Sequence, residues 1–232
     1  MQKTPILAQS LGFNLFSTPN KMPGFSFGLP AGAACPASKA MADEPDSICG
    51  QCYALRGNYT FKNVIKTGTD RLEWVRANLS NGEFVRVITN AIRFYYPTEQ
   101  GLFRIHDRGD FFSNEYILAW YEIVKQFPGI KFWVPTREWI FPHKREALRK
   151  LASLPNITVK PSALLFGGMA EPEATAGLDA SSGVCKTEAE AAALGFAVCP
   201  ASIKANPSSC VENACFKCFD KGNKIPVAYL KH

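Results

Sequence analysis

The sequence predicts an α/β protein: a partial βα barrel or curled parallel sheet, with cysteine-rich metal-binding loops at both ends. Two observations carry this reading. Between residues 102 and 160, short apolar runs alternate with helix-like segments of ten or more residues, the βαβαβ rhythm of a parallel sheet. The eight cysteines lie outside that stretch, in two groups of similar pattern. Cys35-Pro36-Ala37-Ser38 opens one and Cys199-Pro200-Ala201-Ser202 the other. Each group closes on a C-x-x-C followed by an aromatic residue: Cys49, Cys52 and Tyr53, then Cys215, Cys218 and Phe219. Thirteen residues precede the C-x-x-C in the first group and fifteen in the second; Cys185 and Cys210 complete the set.

In chain order, Pro19, Pro23, Gly24, Gly28, Pro30 and Gly32, with phenylalanines between them, predict extended and turn structure rather than helix. A first cysteine loop spans 35–57. Helices follow over about 60–79 and 82–96, where Phe61, Ile65, Leu72, Val75, Phe84, Val87, Ile88 and Ile92 fall near helical spacing. Leu102–His106 reads as a strand, and 114–126 as a helix capped by Ser113 and stopped by Pro128-Gly129. Lys131–Pro135 is the next strand, Pro142–Ala152 the next helix and Ile157–Lys160 the third strand. Residues 167–184, rich in Gly, Ala and Ser, read as a long loop. A short helix over Thr187–Leu194, a strand into Cys199 and a last strand within Ile225–Leu230 finish the chain. The whole reads as a single domain over 1–232: a helical and βα core at 60–165, and a cysteine-rich tail at 185–222 packing back on it.

At 232 residues and 47% hydrophobic, the chain can build a core without metals. No stretch reaches the ~20 apolar residues of a membrane helix, so a soluble protein with no membrane partner is expected. The net charge of +6 favours an anionic small molecule or nucleic acid as partner, although basic residues spread along the chain also serve to solvate helix faces. The start, MQKTPILAQSLGFNLF, lacks the apolar core and cleavage site of an export signal. The expected compartment is therefore the cytoplasm. Thiols stay reduced there, which favours metal ligation by Cys35, Cys49, Cys52, Cys185, Cys199, Cys210, Cys215 and Cys218 over four disulfides or scattered buried thiols. One or two 4Fe-4S clusters, or zinc, fit such thiolates. Cys185 is the expected late donor to the first group. There is no phosphate-binding G-x-x-x-x-G-K-[ST], no G-x-G-x-x-G and no H-E-x-x-H, which sets those chemistries aside.

In a parallel sheet, functional groups gather at strand C-termini. Alternation along Leu102–His106 puts Arg104 and His106 on one face and Phe103 and Ile105 on the other. With Asp110 and Arg137, these polar residues are expected to line one pocket beside the first cysteine loop. His106, Asp110 and Arg137 are the catalytic candidates, His106 moving a proton near neutral pH and Arg137 gripping an anion through its planar fork. Arg104, Thr136, Lys160 and Ser162 are candidates for holding a cofactor. The competing reading is structural: ion pairs among Arg104, Asp107 and Asp110, and of Arg137 with Glu138 or Asp110, that brace the loops.

Cys35-Pro36, Cys49-x-x-Cys52-Tyr53-Ala54, Arg104-Ile105-His106 with Gly109-Asp110-Phe111, Phe132-Trp133 with Thr136-Arg137, and the terminal cysteine cluster together resemble the gene product 88 domain family of phage and prophage proteins. The likeness runs from about residue 20 to the end. It implies a phage-associated, cysteine-rich α/β protein and supplies no reaction. Asp107-Arg108 departs from the smaller or less charged residues expected there. A looser resemblance is to radical-SAM iron-sulfur enzymes. It implies Cys35, Cys49 and Cys52 as ligands of a 4Fe-4S cluster, one iron open for S-adenosylmethionine, and four late cysteines around an auxiliary cluster. The departure is the first gap, since the usual spacing is C-x-x-x-C-x-x-C. The expected function is an iron-sulfur enzyme acting on a nucleotide, nucleic acid or other anionic substrate. The alternatives are a zinc-stabilised nucleic-acid-binding module and a phage accessory protein that binds a host protein.

Overall fold

In the computed structural model, which describes residues 11–231, four strands run parallel in the order of the chain. They are β1 (Phe25–Phe27), β2 (Gly101–Ile105), β3 (Ile130–Thr136) and β4 (Ile157–Pro161). A short helix α1 (Pro36–Ala40) and the long helices α2 (Lys62–Asn78) and α3 (Glu83–Tyr95) fill the first crossover; α4 (Asn114–Val124) and α5 (Pro142–Ala152) fill the next two. The register stacks Phe25, Phe103, Phe132 and Ile157 in one row across the sheet. That apolar face meets the buried stripes of the helices: Phe84, Ile88 and Ile92 on α3, Tyr116, Trp120 and Ile123 on α4, Leu148 and Leu151 on α5. Each stripe has the i, i+3/i+4 spacing of an amphipathic helix. Each large apolar side chain buried here contributes ~1.5–3 kcal/mol.

The other face of the sheet is polar. One residue on from the apolar row, the register lines up Ser26, Arg104, Trp133 and Thr158, with Lys160 beyond. The cysteine-rich tail packs on this face, through a 3-10 turn at Lys217–Phe219 whose Phe219 ring lies 5.8 Å from that of Trp133.

The tail folds around a second parallel sheet, β5 (Ser182–Cys185), β6 (Ala197–Val198) and β7 (Val227–Leu230), ordered β5-β7-β6. Helix α6 (Glu188–Ala193) precedes β6 and is capped by the Thr187 hydroxyl, which accepts from Glu190 N. A bridge between Ser162 and Ser182, with Ala163 N donating to Ser182 O at 2.7 Å, joins the edge of β4 to β5. Among the described residues no ladder joins β1 to β6, so the strands do not close into a barrel. Early and late segments do meet: Cys210 N donates to Lys21 O at 2.7 Å, and Lys231 Nζ to Gln51 Oε1 at 2.8 Å.

The Gly/Pro-rich stretch is extended, as expected, and contributes a strand, β1, whose three residues are too few to print an alternation in the sequence. Two expectations change. The loop at 167–184 ends in β5 rather than running to Val184. And β2 stops at Ile105, because His106 turns into the left-handed region at φ 65°.

Candidate functional site

The first cysteine group is assembled by short-range hydrogen bonds. Cys35 sits where α1 begins, with Pro36 at the first helical position, where its missing N–H costs nothing. The C-x-x-C closes as a turn, Cys52 N donating to Cys49 O at 3.2 Å. The hydroxyl of buried Ser47 accepts from both Cys49 N (3.1 Å) and Gly50 N (3.2 Å) and so sets that turn. The three thiols lie close together: after Asp110, Cys52 and Cys49 help raise Cys35, and Cys52 helps raise Cys49. Burial is the largest cause of the upward shift at both Cys35 and Cys49; the Arg137 charge opposes it at Cys49.

A buried polar network holds this group against the sheet. Asp110 accepts from Phe111 N (2.8 Å), Thr136 Oγ1 (2.7 Å) and Arg137 N (2.8 Å), tying the loop after β2 to the end of β3. Glu138 accepts from Ala37 N in the first turn of α1 (2.9 Å) and is paired with Lys144, which also donates to Phe111 O. Burial, with Asp110 nearby, pushes Glu138 up to about 7, against the pull of Lys144. Burial likewise raises Asp110, opposed by its three donors. Glu138 therefore fixes the helix that positions Cys35. Its role was not legible from sequence, since Ala37 and Lys144 lie on segments far apart in the chain.

The second group contains four cysteines. Cys199, Cys210, Cys215 and Cys218 line a single small cavity of about 20 Å³, closed by Met22, Phe216 and Phe219. Burial raises Cys210 to about 11, with Cys199, Cys218 and Cys215 adding to the shift. Cys218 Sγ lies 3.3 Å from the Tyr229 hydroxyl. Burial raises Cys218; Tyr229, Lys160 and Arg104 oppose that rise. Arg104 lies across the Trp133 ring, 4.6 Å from its centroid, with Nε donating to His106 O and Nη1 directed at Met22 Sδ. In both groups the thiols cluster without closing on an ion: among the described residues no three His, Cys, Asp or Glu side chains stand in metal-binding geometry. All eight cysteines are unpaired.

Arg104, His106, Asp110 and Arg137 do not converge on one pocket among the described residues. Asp110 and Arg137 stand beside the first cysteine group and Arg104 beside the second. His106 leaves the polar face altogether. Its left-handed backbone turns the ring into the core, edge-on to Phe111 at 4.6 Å, with Nε2 3.2 Å from Tyr116 Oη. Burial, helped by the Arg104 charge, drives its pKa down to about 3, so the ring is neutral near pH 7 and does not titrate there. Arg137 makes neither expected ion pair, because its Nε donates to Ala163 O at 2.8 Å. Thr136 and Ser162 are buried and committed, Thr136 to Asp110 and Ser162 to Ser182 at 3.0 Å. Lys160 is buried beside Cys218, not beside the first group. Cys185 joins neither group. It lies on β5 in a small apolar cluster with Ala191, Phe196 and Ala228, and the charge it senses is Glu190.

Among the described residues no helix is long and apolar enough to cross a membrane. Two curated relatives, the Gene 88 proteins of Mycobacterium phages D29 and L5, are each 50% identical over 36 residues, 16% of this chain and 15% of theirs. The chain is thus matched over a small fraction of those proteins' length. No solved structure matches. The model of the family described as Gene product 88 matches residues 4–221, and the chain belongs to that family.

Proposed function

We propose that the chain is an iron-sulfur enzyme of radical-SAM-like layout, acting on an anionic substrate of the nucleotide or nucleic-acid class. On this reading the strands form a curled partial barrel, β1-β2-β3-β4-β5-β7-β6, and cysteine centres flank its polar face. The observation that carries the reading is the sorting of seven unpaired thiols into a set of three, Cys35, Cys49 and Cys52, and a set of four. Three thiolates leave one position of a 4Fe-4S cluster without a protein sulfur, and four complete one. When bound, the first cluster would supply one-electron chemistry at its open iron. The terminal guanidinium nitrogens of Arg137 have no partner among the described residues, and would bind an anionic group there, such as the carboxylate of S-adenosylmethionine or a phosphate.

Protein purified without oxygen should be brown and carry iron and acid-labile sulfide in equal amounts. Cys35→Ser and Cys215→Ser should each remove part of that iron. Colourless protein holding only zinc would replace this reading with a second one, a zinc-stabilised binding module. The four late cysteines lining one cavity also suit that alternative, because four thiolates make a tetrahedral structural zinc site. Protein free of both metals would refute both readings.

A further inference from the structure

Lys160 and Arg104 are cations that no carboxylate pairs with directly, although the charges of Asp179 and Asp220 reach Lys160 and that of Asp107 reaches Arg104. Lys160 is fully buried, yet its Nζ makes one hydrogen bond, to Ala180 O at 3.0 Å, so two of its three donors go unmatched. Two carboxylates lie near it and neither hydrogen-bonds to it: Asp179 Oδ2 accepts from Val159 N and from Lys221 Nζ, and Asp220 Oδ1 from Gly222 N. Among the described residues neither Lys160 nor Arg104 forms an ion pair. A buried ammonium in that position costs several kcal/mol unless an anion faces it. The group that acts on it most strongly is Cys218, and Arg104, whose Nη1 lies 3.3 Å from Met22 Sδ on the cavity lining, acts on both Cys218 and Cys210. A thiol supplies no such charge, whereas a metal-bound cysteine is a thiolate.

We infer that Lys160, Arg104 and Tyr229 are the outer shell of a metal centre held by Cys199, Cys210, Cys215 and Cys218. Four thiolates around either a divalent ion or a dicationic cluster leave the centre doubly negative, and two cations balance it. The Tyr229 hydroxyl donates to the Cys218 thiolate and anchors it from β7, as outer-shell groups do for metal ligands. The charge balance is the same for zinc and for a 4Fe-4S cluster, so the inference rests on metal occupancy of this group and not on which metal it is. The three residues are positioning residues. They touch ligand sulfurs, not substrate.

The experiment uses the full chain, as purified without oxygen, in a Cys35→Ser background so that the metal counted belongs to the late group. Release to excess EDTA is timed for Lys160→Met, Arg104→Gln and Tyr229→Phe, with Lys66→Met on the exposed face of α2 as a matched loss of charge. Each outer-shell variant should hold its metal ~10–100-fold less tightly, Lys66→Met should match the parent, and Arg104→Lys should recover part of the loss. The melting temperature of the metal-free protein separates this role from a merely structural one: Lys160→Met should leave it unchanged or raise it, since an unpaired buried cation has been removed. Variants that retain metal as the parent does would overturn the inference, as would a fall in metal-free stability that accounts for the release. If Lys160→Met does not fold, Tyr229→Phe, which removes one hydroxyl, still decides. Should Cys199→Ser leave the metal content unchanged, the late group holds no metal and the outer shell falls with it; metal on the first group is read separately, from Cys35→Ser alone.

Discussion

His106 makes the stability of this protein depend on pH in a direction and amount set by its burial. Its ring is 1% exposed and its pKa lies at about 3, against 6.5 for the free side chain. Below pH 6.5 the unfolded chain takes up a proton that the folded chain refuses until about pH 3. The unfolded state therefore gains stability as pH falls through that window. The slope is about 1.4 kcal/mol per pH unit, which amounts to about 2 kcal/mol between pH 7.5 and pH 5. The groups facing the ring are Arg104, whose charge adds to the depression, and Tyr116, whose hydroxyl stays protonated throughout. The test is urea unfolding of wild type and His106→Asn at both pH values. Asn does not titrate and tolerates the φ of 65° found there. Taking the difference between the two proteins cancels other titrating groups, including thiols that release metal in acid, if they act independently. With a denaturant slope of ~2 kcal/mol per molar urea, wild type should lose about 1 M more in midpoint than the variant on going to pH 5. Parallel pH profiles for the two proteins would refute the buried, neutral histidine and return His106 to the candidates for proton transfer.

Two further outcomes follow from single contacts. Lys144→Met leaves Glu138 fully buried without its cation and should cost ~3–5 kcal/mol near pH 8. Because Glu138 already titrates at about 7, it takes up a proton as the pH falls, and the loss should be smaller near pH 5.5; adding Glu138→Gln should recover much of it, and urea midpoints at the two pH values check both statements. Ser113→Ala removes the hydroxyl that accepts from Tyr116 N at 3.2 Å and should cost ~1 kcal/mol, whereas Ser113→Asp should keep most of the stability; thermal melts of the three proteins suffice.

The elements from Leu102 to Lys160 were legible because their signals are local. Apolar residues recur at the period of the hydrogen-bonded structure they form, Ser113 stands one residue before its helix and Pro142 opens the next. The two cysteine groups could likewise be read from their spacing. What the sequence could not determine was which of these residues meet. A single left-handed residue after β2 sends His106 into the core, although alternation assigns it to the same face as Arg104. The eight thiols divide into three, four and one because β5 buries Cys185 in an apolar cluster while the tail crosses the polar face of the sheet. Glu138 reaches Ala37 across 101 positions, and Lys160 comes to face Cys218 only when the tail lies over β4. Backbone periodicity is written within a few residues of itself. The pairing of buried charges is decided by contacts between distant segments, and only the tertiary structure brings those together.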